Sequence, residues 1–316
     1  MFKNLHELIA TMPDEKACRE YLIKERWNGV ITCPYCGNEG AYVIEGGKRF
    51  KCRSSACYKK FSVTVGTIFE ASNIPLNKWF MACYLVSAHK KGISSYQLAK
   101  DIGVAQKTAW FMLHRLRAMM KITHTTKIKH TAEADETYMS RKYGSDYKGL
   151  TPEEVGAIQK NTYSRKAKGA VLGIADRKEG TIRVIAFPEN NAENVQPAIK
   201  ENVEKGANLH TDENRIYKQL ESEYHRETVH HSKREWVKRS ISAGKVHTNH
   251  VEAFWAVMKR GVYGIYHQIS YKHLQAYCDE YSYRYNTRDL QDYQRFTIVL
   301  ENIERRLDYK TLIGKK

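Results

Sequence analysis

The sequence predicts an α/β protein in which a zinc ribbon and a helix-turn-helix precede a domain built on a mixed sheet with flanking helices. Three observations predict it. Two cysteine pairs, Cys33/Cys36 and Cys52/Cys57, stand close together near the N-terminus. Three helical runs follow Pro75, with a tight turn between the last two. Beyond Lys129 the pattern changes to alternating strand-like runs interrupted by helices, the succession expected of an α/β domain. The 316 residues allow two or three domains at roughly 100–200 residues each.

Composition narrows the partner. The chain carries 52 Lys plus Arg against 35 Asp plus Glu, a net charge of +17. That charge is spread along the chain, which favours a polyanion, nucleic acid foremost. No apolar run approaches the roughly 18 residues that a spanning helix needs. The opening MFKNLHELIATMPDEKACREYL mixes acidic and apolar residues and lacks a signal-peptide core, so a cytoplasmic, nucleoid-associated location is expected. Seven cysteines is an odd number and Cys18, Cys83 and Cys278 stand alone, so a disulfide framework is not expected.

Residues 1–30 read as an N-terminal helical segment broken at Pro13. Residues 31–66 form the ribbon: Cys33 and Cys36 make a C-x2-C knuckle, and Cys52 and Cys57 make a wider C-x4-C pair after a fifteen-residue spacer. Four thiolates in two pairs suit a tetrahedral Zn2+, and a site closed by cysteines supports folding and not catalysis. The wider spacing makes Cys57 the least secure ligand. Four reduced structural cysteines is the weaker alternative. Lys48, Arg49, Lys51, Arg53, Lys59 and Lys60 surround the ribbon, either for phosphate contact or as a solvated face.

Residues 75–122 carry the helix-turn-helix. Ser94 or Ser95 caps its second helix, Gly103 makes the turn, and Ala109, Leu113 and Leu116 give the third helix a core face. In that geometry Gln106, Lys107 and Thr108 face the major groove, and Arg115 and Arg117 reach phosphates. A plain three-helix bundle fits the same pattern; the adjoining ribbon and the positive charge favour DNA.

Residues 130–290 form the mixed domain. A first strand, AEADETYM, carries Asp135; a basic insertion, 139–168, follows, in which Arg141 to Lys168 holds seven basic and three acidic residues. It either contacts DNA or is a disordered loop. GAVLGIADR and TIRVIAFPE read as two further strands, AENVQPAIKENVEKG as a helix, ANLHTDE as a strand ending at Asp212, and ENRIYKQLESEY as another helix. Val246 to Ser270 brings the third acid. A helix starting at Asn249 puts Val251, Phe254, Trp255, Met258 and Val262 on one apolar stripe, with Asn249, Glu252, Ala256 and Lys259 along its flank.

Taken alone, Glu252 is an ordinary solvated residue. Phosphodiester chemistry supplies a reason to group it with Asp135 and Asp212. Two Mg2+ ions about 3.5–4 Å apart neutralise the scissile phosphate and activate the attacking oxygen, and Mg2+ takes oxygen ligands. Strand alternation points immediate neighbours away from such a site, and Glu133, Glu136, His210 and Glu213, which flank the two aspartates, are left out of the triad. Asn249 and His247 either serve the site or are a cap and a surface histidine; Lys259 and Arg260 either hold DNA or offset Glu252. A Tyr-rich stripe through Tyr277, Tyr281 and Tyr285 closes the domain, and 291–316 forms a C-terminal helical tail.

The runs AEADET, LHTDENRIY, VHHS and HTNHVEAFWAVMKRGVYGIYHQISYKHLQAYCDEYSYRYN, preceded by CPYCG, KCRSSAC and GTIFEASNIPLNKW, carry a resemblance. From about Trp27 to Asn286 the chain resembles bacterial insertion-sequence DDE transposases with an N-terminal zinc ribbon, of the ISXO type and related to the Merlin superfamily. The resemblance implies an RNase H-like catalytic core with the DDE triad on Asp135, Asp212 and Glu252, holding Mg2+ or Mn2+. It implies cleavage of element ends in double-stranded DNA and strand transfer into a target. Synapsis of two ends makes a homodimer or higher oligomer the expected state. A non-catalytic DNA-binding regulator and a metal-dependent nuclease without strand transfer are the competing readings; three intact carboxylates argue against the first.

Overall fold

The structure is a computed structural model and describes residues 2–139, 151, 153, 169–241, 244–304 and 307–314. The chain divides into two compact units, Met1–Met120 with Asp289–Lys316, and Lys121–Arg288. The basic insertion expected over 139–168 lies outside the described residues, apart from Met139, Thr151 and Glu153. No helix among the described residues is long and apolar enough to cross a membrane.

In the first unit, α1 (Leu5–Thr11) and α2 (Glu15–Trp27) start at the side-chain caps Asn4 and Asp14, with Pro13 between them. These caps satisfy N–H groups that a helix start leaves orphaned. The ribbon sheet is antiparallel in the order β1 (Ala41–Ile44), β2 (Arg49–Cys52), β3 (Lys60–Phe61). Phe50 and Phe61 face inward and meet Trp27 edge-on. Three helices follow: α3 (Leu76–Ala88), α4 (Ser95–Ile102) and α5 (Gln106–Met119). Ser94 caps α4, and Gly103 ends it in the left-handed region at φ 62°, where glycine carries no Cβ penalty.

The tail belongs to this unit. Its helices α9 (Asp292–Glu301) and α10 (Tyr309–Ile313) are numbered after three helices of the second unit. Phe296 is fully buried against Phe2, Tyr21 and Phe80, and Ile68 donates its N–H to Ile303 at 2.8 Å. Arg115 is buried and gives its guanidinium to the carbonyls of Ile68, Glu70 and Leu307.

The second unit is an α/β sandwich on a five-stranded mixed sheet in the order β6-β5-β4-β7-β8. Strands β4 (Thr131–Met139), β5 (Gly169–Asp176) and β6 (Thr181–Phe187) run antiparallel, and β7 (Asn208–Thr211) and β8 (His225–Thr228) extend the sheet parallel to β4. Helix α6 (Ala192–Asn202), capped by Asn191, covers one face with Val195 and Ile199 against Ala134, Leu172, Ile174 and Leu209. Helices α7 (Asn249–Gly261) and α8 (Tyr271–Asn286) cover the other through Val251, Phe254, Trp255 and Met258 against Val171, Ala175 and Val184. Successive β5 residues thus divide between the two layers, as the two-residue period of a strand requires. The apolar stripe expected on α7 is the buried one.

Two elements differ from the expectation. Residues Arg215–Ser222 form a 3-10 stretch, not an α-helix, and β8 adds a fifth strand that its polar sequence HRET concealed. Between β8 and α7 a small hairpin pairs β9 (Lys238–Ser240) with β10 (Gly244–Val246).

Candidate active site and metal centre

The ladder between β4 and β7 ends at the pair Glu133 and His210. Two residues further along each strand come Asp135 and Asp212, so the register carries both to the same place as β7 finishes at Thr211. The carboxyl ends of parallel strands are where an open sheet makes a crevice. Carboxylate oxygens of Asp135, Glu136 and Asp212 lie within 4.8 Å of one another there.

Each acid is held differently. Asp135 projects to the α7 side, where Trp255 donates its indole N–H to Oδ2 at 3.0 Å. The approach requires Gly173, which pairs with Asp135 across the sheet. A Cβ at Gly173 would meet Trp255 Cζ2 and Val251 Cγ1, each at 2.8 Å. Asp212 accepts the Asn214 N–H at 2.9 Å. Glu136 faces the other layer, where its carboxyl is buried beside the Tyr217 hydroxyl.

Burial, then the charge of Asp212, raises Asp135 to about 6. Burial, with both aspartates adding to it, raises Glu136 to about 8, and burial also raises Asp212. Three acids at close range form a centre short of positive charge. The donor set is all oxygen, which fits a hard divalent cation such as Mg2+.

Glu252 lies outside that group of three. It sits in the first turn of α7, part-exposed, with Oε1 accepting from Thr248 Oγ1 at 2.8 Å and 3.6 Å from His231 Nε2. Its charge adds, as the smallest contribution, to the rise at Asp135. Asn249 is exposed one turn before it; Lys259 and Arg260 occupy the last turn, half-buried and exposed respectively.

The residues left out of the triad need separate treatment. Glu136 does alternate to the opposite face, yet its longer side chain still reaches the shared crevice, and sequence alternation alone missed it. Glu133 is fully buried and serves as a fastening. It accepts from Arg177 Nε at 2.6 Å and from the His250 N–H at 2.9 Å, and it meets the His250 and His247 rings at 2.7 and 3.1 Å. These contacts tie β4 to the start of α7. They outweigh the burial that opposes ionisation and hold the Glu133 carboxyl below its ordinary value. His210 is fully buried with neither ring nitrogen partnered, and burial drives it down to about 4. Glu213 accepts the N–H groups of His231 and Ser232, which overcome burial and lower it to about 2.

In the first unit, the thiols of Cys33, Cys36, Cys52 and Cys57 all lie within 4.8 Å of one another. Cys33 and Cys57 are 3.8 Å apart at sulfur, and Cys36 and Cys52 are 3.6 Å apart. Zn–S bonds of about 2.3 Å separate the sulfurs of a tetrahedron by roughly 3.8 Å. The four cysteines cluster as a structural zinc site would require, and the wider spacing before Cys57 does not remove it from the set.

Of the residues expected to meet DNA on α5, Lys107 is exposed, while Gln106 is half-buried and donates to Ser95 Oγ at 2.8 Å. Thr108 is half-buried. Arg115 and Arg117 are corrected by the structure: they are 5% and 1% exposed. From Met112 to Met119 the helix is buried on several faces, and Arg115 satisfies backbone carbonyls there, so neither is offered to a phosphate.

A family model described as an ISXO2-like transposase domain matches residues 127–286, and one described as a transposase zinc-ribbon domain matches residues 13–60. The chain is also 28% identical over 267 residues to a protein of Halobacterium salinarum described as an uncharacterized protein in transposable element ISH50. That match covers 80% of this chain and 84% of the relative.

Proposed function

The chain belongs to the ISXO2-like transposase family, and from that premise we propose that it cuts DNA at the ends of an insertion sequence and joins them to target DNA. Asp135, Asp212 and Glu252 form the acidic triad, and Mg2+ or Mn2+ is the cation they hold. The convergence of Asp135 and Asp212 at the ends of two parallel strands, with charge left uncompensated, is the observation that carries this reading. The sheet order, an antiparallel meander extended by two parallel strands, supports an RNase H-like core.

A divalent cation held by these carboxylates would neutralise charge on the phosphate and favour deprotonation of the attacking water or 3′-hydroxyl. The chain's own groups prepare the site. Trp255 fixes the Asp135 carboxylate, the Asn214 N–H fixes Asp212, and Thr248 holds Glu252. Lys259, Arg260 and Asn249 lie on the same helix as Glu252 and contact the DNA backbone. Glu136 is a further ligand for the cation. Hydrolysis at the element boundary and attack by the freed 3′-hydroxyl are both displacements at phosphorus, so one site serves both.

End recognition falls to the first unit. The zinc ribbon fixes a small basic platform, and α4, the Gly103 turn and α5 act as a helix-turn-helix with Gln106, Lys107 and Thr108 toward the major groove. Two ends must be held at once, so the acting species is a homodimer or larger assembly on DNA.

The test is cleavage and strand transfer by purified protein on labelled DNA from the sequence flanking its coding region. Asp212→Asn should cut more than about a hundredfold more slowly than the unaltered chain, while still binding that DNA. Full cleavage by Asp212→Asn would make the mechanism wrong. Hydrolysed ends without a strand-transfer junction identify a nuclease, and DNA binding without cutting identifies a regulator.

A further inference from the structure

Of the five tryptophans, only Trp236 is exposed, with 55% of its surface open. It lies in the segment joining β8 to α7, just before the β9–β10 hairpin. The other exposed apolar side chains of that segment, Val237 and Ile241, are aliphatic. An open indole contributes nothing to a core and invites nonspecific association. Beside the acidic site it offers a flat apolar surface to a ligand.

The segment is fastened. Glu213 receives the His231 and Ser232 N–H groups, and Lys238 and Ser240 bind the Glu227 carboxylate at 2.8 and 2.6 Å. Arg177 donates to the Lys245 carbonyl at 2.6 Å. Arg234 turns the chain in the left-handed region at φ 58°. Trp236 itself meets His231 edge-on, ring centres 4.7 Å apart, and His231 Nε2 stands 3.6 Å from Glu252 Oε1. One imidazole ring therefore separates the open indole from a carboxylate of the acidic site.

The surroundings are cationic. Residues 231–246 contain five Lys or Arg and one Glu, and Lys233, Arg234, Arg239 and Lys245 are exposed. An aromatic ring among cations is the arrangement that binds unpaired nucleic acid. Bases stack on the ring because every base has a π-face, and phosphates pair with the cations. A base inside a duplex has both faces covered by neighbours, so only an unstacked base presents one to Trp236.

We propose that Trp236 is a stacking platform for an unpaired nucleobase beside the phosphate attacked at the acidic site, so that this chain holds its DNA end locally melted. The proposal rests on the reading of that site as one that cuts DNA.

Two measurements test it separately from that reading. In the first, 2-aminopurine replaces single bases near the element end, and its fluorescence is followed on binding without divalent metal. At one position the unaltered chain and Trp236→Phe should change the emission at least about fivefold more than Trp236→Ala does, with DNA affinity otherwise similar. An equal change with Trp236→Ala overturns the proposal, as does a shift in oligomeric state on DNA in place of the fluorescence difference, which would assign Trp236 to a second copy. In the second, cleavage is compared on a fully paired end and on one with mismatches at the cut site. Trp236→Ala should be about tenfold slower on the paired DNA and near normal on the mismatched DNA. Equal slowing on both, or none on either, overturns it. If the unaltered chain cuts neither DNA yet the fluorescence difference stands, the cutting function fails and the base platform survives.

Discussion

At the scale of single residues, the acidic crevice is a place where the fold works against itself until a cation arrives. Burial and the two aspartates raise Glu136 to about 8 from an ordinary 4.5. A carboxyl raised in this way favours the fold below its unfolded value, and that contribution is lost as pH climbs through the folded one. Between roughly 4.5 and 8 the folded chain therefore retains a proton that the unfolded chain gives up. In chelator at pH 8, Glu136→Gln should be more stable than the unaltered chain by about 1–2 kcal/mol, less than the full shift because the aspartates share the charge. The difference should vanish below pH 4.5, and added Mg2+ should raise the melting temperature of the unaltered chain more than that of the variant. Thermal unfolding across pH and metal concentration reads both. Asp135 and Asp212 were legible in the sequence because each ends a small or apolar run. Glu136 was not, since strand alternation says which face a residue leaves from and nothing of how far its side chain reaches. Arg115 and Arg117 misled for a related reason: a cation on a helix reads as surface unless the groups that take it inward are known, for Arg115 the carbonyls of Ile68, Glu70 and Leu307.

At the scale of elements, the seating of α7 on the sheet depends on an absent side chain. Gly173 lies under Val251 and Trp255, and the apolar stripe visible in the sequence could not show which strand position it would press upon. Gly173→Ala should destabilise the second unit by about 1–3 kcal/mol through overpacking. It should also slow cleavage more than it weakens DNA binding, because α7 carries Glu252. Val251→Ala in the same chain removes one of the two clashing groups and should recover part of both losses; cleavage rates and melting curves of the single and double variants check this. The helix cap at Ser94 and the turn at Gly103 were readable from local chemistry alone. Strand β8 was not, because its HRET sequence has no apolar alternation and its place is set by pairing with β7.

At the scale of the whole molecule, the two units are interleaved in sequence. Residues 289–316 complete the unit begun by residues 1–120, with Phe296 filling the space among Phe2, Tyr21 and Phe80. Sequence periodicity showed an amphipathic tail helix and could not name its partner, since nothing local records a contact across so much chain. Residues 1–120 made alone should be poorly folded, with weak near-ultraviolet circular dichroism and no cooperative melting. The same residues joined to 289–316 by a short flexible linker should melt cooperatively. Lys121–Arg288, by contrast, contains its own core on both faces of its sheet. During synthesis the order of maturation is therefore reversed: the part that leaves the ribosome first must wait for the last residues, while the inner part can close once Arg288 has emerged. A chain cut short by a frameshift or an early stop would lack a finished first unit, so if that unit binds element ends as proposed, broken copies of this gene would yield products unable to compete with intact ones for DNA.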